Sequence, residues 1–255
     1  MDIIKKLAQE LAIKEEQAKA AVQLIDEGNT IPFIARYRKE MTGALNDETL
    51  RNLHERLLYL RNLEEKKEQV INAITDQGKM TEDLKKKILS AETLVAVDDL
   101  YRPYRPKKQT RATKAKEKGL EPLANILLLQ KTTKSMEEEA AAFVNAEKGV
   151  ANAKEAIAGA KDIIAEMIAD MADYRKSIRN CTMKQGSLVV KAKDEKAESV
   201  YEMYYDFREP LSKVTGYRVL AINRGEKEKF LTVKVEAPDV QIVNALNKTM
   251  VKDNL

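Results

Sequence analysis

The sequence predicts a mainly α protein: an elongated multi-helical bundle with long helices and a small two-stranded β ribbon near the C-terminal end. Three observations lead there. Glycine and proline are scarce, nine and six in 255 residues, against 34% charged and 5% aromatic residues, a balance that favours helix. Residues 47–77 contain no helix breaker and carry leucines at 50, 53, 57, 60 and 63, the spacing of one helical face. Finally, Ala153, Ile157, Ala160, Ile164, Met167, Met171, Tyr174, Ile178 and Cys181 stand alternately four and three residues apart, a heptad seam.

The elements follow in order. Leu7, Leu11, Ala18, Val22 and Ile25 mark two short amphipathic helices over 3–11 and 15–25, with Gly28 and Asn29 ending the second. Thr30 suits the cap of a further helical turn, because its hydroxyl accepts from an unpaired amide and Pro32 falls where a missing N–H is harmless. That turn is expected to face Phe33, Ile34 and Tyr37 inward and to leave Arg36, Arg38 and Lys39 exposed. After a turn at 43–46, Asp47 is placed to cap the long helix, which at 1.5 Å per residue runs about 45 Å to Gly78. The charged run at 64–68 breaks its stripe and predicts a solvated middle, before Val70, Ile71 and Ile74 resume it. Shorter helices are expected at 82–89, 94–100, 114–118 and 122–129, with Pro103 and Pro106 opposing helix between the second and third. The heptad seam is expected to pack internally along the long helix rather than between chains, since the flanking charge pattern of a coiled coil is weak. Past Gly186, segments 187–193 and 229–236 are short and β-branched, reading as two strands that pair, with a helix over 195–205 between them. Residues 217–223 read as helix, 223–229 as a turn, and Asp239 as the cap of a last helix to about Met250. The division expected is a helical domain over 1–185, with a helix-turn-helix-like subdomain, and a small α+β extension over 186–255 packed on that framework.

Composition excludes several function classes. A net charge of +4, from 45 cations against 41 anions, requires any polyanion surface to be local. The single Cys181 allows no internal disulfide and points to a reducing compartment; no signal-peptide or membrane-spanning run is present, so a cytoplasmic chain without a membrane partner is expected. With one histidine, His54, and one cysteine, no Cys/His metal cluster can be assembled, and both residues read as packing groups. Phosphate-loop motifs are absent, and Asp98-Asp99 and Glu137-Glu138-Glu139 are surface runs without a paired acid at catalytic spacing. No catalytic residue, metal ligand or cofactor is assigned, and an enzyme is not expected.

Two tracts concentrate the remaining signal. In Ile31-Pro-Phe-Ile-Ala-Arg-Tyr-Arg-Lys-Glu-Met-Thr-Gly-Ala-Leu45, apolar anchors alternate with Arg36, Arg38 and Lys39. These cations could bind phosphate or bridge to Glu40 and Asp47. In Asp99-Leu-Tyr-Arg-Pro-Tyr-Arg-Pro-Lys-Lys-Gln-Thr-Arg-Ala-Thr113, tyrosines and cations interleave on a Pro-stiffened segment. Over 101–118 the cations are Arg102, Arg105, Lys107, Lys108, Arg111, Lys114, Lys116 and Lys118, against the one acid Glu117, a local net charge of +7. Tyr101 and Tyr104 could stack on unpaired bases, or anchor the connector while its cations pair with Asp98, Asp99 and Glu121. Candidate nucleic-acid-binding residues are therefore Arg102, Tyr104, Arg105, Lys107, Lys108, Arg111 and Lys114, with Arg36, Arg38 and Lys39. The acidic residues Asp194, Glu195, Glu198, Glu202, Asp206 and Glu209 would repel nucleic acid and suit a basic partner instead.

These two tracts, their spacing and the following Lys118-Gly-Leu-Glu-Pro-Leu123 resemble the N-terminal region of the bacterial transcription accessory proteins of the Tex family. The resemblance implies a piece of a longer protein that continues into RuvC-like, helix-hairpin-helix and OB-fold RNA-binding domains. It further implies a helical scaffold with an auxiliary surface for RNA or DNA. The alternative is a protein-interaction scaffold that docks RNA polymerase or another transcription factor without touching nucleic acid.

Overall fold

Local capping and one-sided burial set the first elements. The computed structural model describes residues 1–252. Helix α1 (Ile3–Leu11) starts at Asp2, whose carboxylate accepts from the Lys5 amide at 3.1 Å. Helix α2 (Glu15–Asp26) buries Ala18, Ala21, Val22 and Leu24. Helices α3 (Ile31–Tyr37) and α4 (Lys39–Thr42) are separated by Arg38, at φ −130° and ψ 28°. Thr30 occupies the cap position of α3 but makes no side-chain capping bond.

Helix α5 (Asp47–Asp76) is the long one, and its cap is Asn46 rather than Asp47, with the Asn46 side chain accepting from the Thr49 amide at 2.7 Å. Its leucine stripe is fully buried, and the expected solvated middle does not occur. Lys67 takes the next inward position at 1% exposure. Its Nζ donates to Glu64 Oε1 at 2.8 Å and to the Leu89 carbonyl at 2.9 Å, after which Val70 and Ile74 continue the buried face. A buried ammonium is tolerated because both bonds replace water. Helices α6 (Glu82–Ser90) and α7 (Leu94–Tyr101), with α1, α2 and α3, pack on α5 around one core. Together they form a first unit, Met1–Arg105.

The second unit runs from Pro106. Helix α8 (Arg111–Glu117) begins earlier than the sequence suggests, because the Thr110 hydroxyl accepts from the Thr113 amide at 3.0 Å. Helices α9 (Glu121–Leu129) and α10 (Met136–Ala141) follow. The heptad seam is not one helix. It divides into α11 (Ala153–Asp170) and α12 (Ala172–Gln185) at Met171, whose ψ of 118° is extended. Packing by α8, α9 and α10 covers α11, burying Ala156, Ile157, Ala160 and Ile163, while Met167 and Met171 are exposed. The seam's buried half thus finds its partners within its own unit.

The strands are β1 (Ser187–Ala192), β2 (Asp206–Pro210) and β3 (Leu231–Glu236), in the order β2-β1-β3 with both pairings antiparallel. Pairing of β1 with β3 agrees with the expected ribbon; β2 makes it a three-stranded sheet. Asp206-Phe-Arg-Glu-Pro210 holds one large apolar residue and ends in proline, so its strand character comes from pairing at an edge rather than from its own pattern. Residues 195–205 are not an α-helix. They form a loop with a single 3-10 turn at Glu202–Tyr204, fixed by burial of Tyr201 and Tyr204 in a core shared with Leu188, Val190, Ile222 and Leu231. The turn expected over 223–229 is mostly the end of helix α13 (Gly216–Lys227). Helix α14 (Asp239–Met250) has Pro238 at its cap position, leaving Asp239 as the first helical residue, where its charge suits the helix dipole.

Candidate nucleic-acid interface

The Pro-rich tract is held down more firmly than its sequence suggests. Tyr101 ends α7 and Tyr104 ends a short 3-10 turn, Arg102–Tyr104; both rings pack half-buried against the first core. Gln77 donates to the Tyr104 carbonyl at 3.0 Å, fixing the backbone there. Arg105 donates to Asp98 at 2.9 Å and lies 5.5 Å from the centre of the Tyr101 ring. In the second unit, Lys107 pairs with Glu166 at 3.1 Å and with Asp170. Burial alone would lower the Lys107 ammonium, but hydrogen bonds to Asp170 and Glu166 outweigh it and hold it above its ordinary value.

Helix α8 continues this pattern. Arg111 lies 3.4 Å from Asp162, Lys116 3.2 Å from Glu121, and Lys118 donates to the Gly149 carbonyl at 2.8 Å. These bonds differ in strength. The Arg111 and Lys116 pairs are solvated and worth little, so phosphate could replace the carboxylates. Lys107 is held by two acids and is the least available. Arg102 is exposed, as are Lys108 and Lys114, and the last two have no ion pair among the described residues. The two tyrosines are anchors in this arrangement, and the cations divide between paired and open.

The other tract presents the reverse arrangement. Only Ile34 of α3 is buried, while Phe33 and Tyr37, expected inside, are 36% and 61% exposed. Their ring centres are 5.3 Å apart. A seven-residue helix has room for one inward face, and Ile34 fills it. Arg38 lies 5.3 Å from the centre of the Phe33 ring and donates to the Tyr37 carbonyl at 3.2 Å. Arg36 and Lys39 are exposed and form no ion pair among the described residues. The bridge to Asp47 does not form, because that carboxylate accepts from Arg51 at 2.6 Å.

Hydrogen bonds support this surface from beneath. Thr42 is fully buried and donates to the Arg38 carbonyl at 3.3 Å. Gln17 donates to the Thr42 and Gly43 carbonyls at 3.2 and 2.9 Å. Gly43 has φ +59°, which favours glycine, and a Cβ there would stand 2.7 Å from Gln17 Nε2 and displace that amide. No sequence signal marked Gln17 as part of this site. It acts through backbone carbonyls, which leave no trace in residue pattern.

Fold and site together define a helical scaffold of two units with cation-bearing short helices. The chain matches the families described as "Tex-like protein N-terminal domain" over residues 1–75 and "Tex central region-like" over 131–254. It is 41% identical to "Transcriptional accessory protein Tex" of Neisseria gonorrhoeae over 239 residues, 92% of this chain and 31% of that protein. Identity to "Protein tex" of Bordetella pertussis is 43%, covering 91% of this chain and 30% of the relative. With the human "S1 RNA-binding domain-containing protein 1" it is 33%, covering 93% and 24%. The chain belongs to the Tex family, and it spans about a third of the length of the bacterial relatives. Among the described residues, no helix is long and apolar enough to cross a membrane.

Proposed function

We propose that this chain is the helical N-terminal scaffold of a Tex-type transcription accessory factor and adds an auxiliary contact to RNA or DNA, without enzymatic activity, in the cytoplasm. One observation carries the reading: Arg36, Arg38 and Lys39 are grouped at the junction of α3 and α4 with no carboxylate partner among the described residues. Unpaired cations at such density attract phosphate, and guanidinium forks suit it. The names of the relatives, a transcriptional accessory protein and an S1 RNA-binding domain protein, agree with nucleic acid as the ligand. Lys108 and Lys114, with the weakly held Arg111, extend the cationic surface of the second unit.

The pairing of Arg105 and Lys107 with acids, and the docked tyrosines beside them, favour a second reading, in which the chain docks RNA polymerase or another transcription factor. Titration of labelled RNA and DNA oligonucleotides with the 255-residue chain at two salt concentrations separates the two. Charge reversal of Arg36, Arg38 and Lys39 to Glu is expected to abolish binding, with helicity unchanged by circular dichroism. Unchanged affinity in that triple variant would remove the surface and leave the docking scaffold.

A further inference from the structure

We infer that Phe33 and Tyr37 form a stacking platform for unpaired bases, so that the ligand class of the first tract is single-stranded nucleic acid rather than duplex. This rests on the polyanion reading of Arg36, Arg38 and Lys39 given above. Among the described residues, the large exposed aromatics are Phe33, Tyr37 and Tyr217. Two of the three thus share one turn of α3, at positions i and i+4, on the same face. Leaving Tyr37 mostly and Phe33 partly in water forgoes part of the free energy of burying them, and nothing in the first core requires it, since Ile34 already fills the inward position.

The ring geometry suits flat ligands. The two planes are tilted 47° at a centre-to-centre distance of 5.3 Å, and with Arg38 over the Phe33 ring, the Tyr37 ring, 61% exposed, offers most of the accessible aromatic surface to a further π-system. Arg38 sits 5.3 Å from the centre of the Phe33 ring, with its guanidinium tethered to the Tyr37 carbonyl. A cation beside the ring is thereby held where the phosphate of a stacked nucleotide passes. Arg36 and Lys39 flank the same turn. This alternation of ring faces and cations is what single strands bind: bases stack on rings and the backbone follows the charges. A duplex hides its base faces and would engage the cations alone.

Preorganisation adds to the argument. Gln17, Thr42 and the positive φ of Gly43 fix the backbone at the far end of the tract, so little ordering remains to be done on binding.

The test uses the full chain and two probes, a 12-nucleotide mixed-sequence RNA and the blunt duplex of the same sequence, by fluorescence anisotropy at low salt. The wild type is expected to bind the single strand at least about tenfold more tightly than the duplex. The F33L/Y37L variant keeps apolar bulk but loses the π faces; it is expected to lose about tenfold or more in single-strand affinity while duplex binding stays as it was. Equal single-strand affinity in F33L/Y37L and wild type, with binding still abolished by R36E/R38E/K39E, overturns the platform and leaves the polyanion surface standing. No binding of either probe by the wild type overturns both.

Discussion

Lys67 shows how a single side chain can reverse what its neighbours suggest. Surrounded by Glu64, Glu65, Lys66 and Glu68, it sits at the inward position four residues after Leu63 and three before Val70. Its aliphatic stem fills the core position of a leucine, while its ammonium reaches the Leu89 carbonyl near the end of α6. Replacement by Ala leaves a cavity and is expected to cost about 2–4 kcal/mol in urea unfolding. Lys67→Met keeps the volume and loses only the two hydrogen bonds, with Glu64 still bound to the amino terminus at 2.7 Å. That variant should cost about 1 kcal/mol. Equal losses in the two variants would show that the ammonium, not the stem, holds this place. The same reading explains why the burial was not legible: a lysine in a charged run looks solvated unless its register on the helix is counted. Phe33 and Tyr37 are the opposite case, apolar in type yet exposed, because a short helix can bury only one of its faces.

Between helices, the contacts joining α1, α5 and α7 set a pH dependence. Arg56 donates to both Glu10 oxygens, at 2.5 and 2.9 Å, and stacks over Tyr59, whose hydroxyl accepts from the Leu94 amide. The Arg56 hydrogen bond holds the Glu10 carboxyl below its ordinary value of 4.5. A depressed carboxylate contributes stability that is fully present above 4.5 and lost as pH falls through the folded-state value. Glu10→Gln should therefore lose about 1 kcal/mol at pH 7, allowing for partial exposure of the pair, with the difference from wild type shrinking toward pH 3. A difference that stays constant over that range would count against the ion pair as its source. At the entry to the sheet, a Cβ on Gly186 would stand 2.5 Å from the Thr182 carbonyl oxygen and 2.9 Å from that of Glu236. Both are backbone atoms with little room to yield, so Gly186→Ala should destabilise the chain by about 1–3 kcal/mol. Gly216, with open space around its Cα, serves as the control, and Gly216→Ala should be neutral or slightly stabilising. For α1, α2, α6 and α7 the sequence was enough to place the helix within a residue or two. It was insufficient for β2, whose one apolar side chain and three charges acquire strand form only beside β1. It was insufficient also at Met171, where a continuous heptad conceals a break.

At the scale of the whole molecule, charge is the quantity that ties scaffold to function. The net of +4 over 255 residues is small, and much of the positive charge near the Pro-rich tract is taken up by Asp98, Glu166, Asp170, Asp162 and Glu121. Both basic tracts could be found in the sequence, as could the nearby partners Asp98 and Glu121, but Asp162, Glu166 and Asp170 could not, because these acids, 51 to 63 residues distant from Arg111 and Lys107, meet them only in the folded chain. The consequence is measurable as ion release. If Arg36, Arg38 and Lys39 are the phosphate contacts, three neutralised phosphates on a single strand give a slope of log affinity against log salt of about −2. Recruiting Arg102, Arg105, Lys107, Lys108, Arg111 and Lys114 as well would require several ion pairs to open and would steepen the slope beyond about −5. The expected value is the shallow one, measured by anisotropy between 50 and 200 mM KCl as an order-of-magnitude working range. A steep slope that flattens when Arg105, Lys107, Lys108 and Arg111 are replaced by Glu would move the principal contact to the Pro-rich tract, with its acids acting as exchangeable counterions rather than locks.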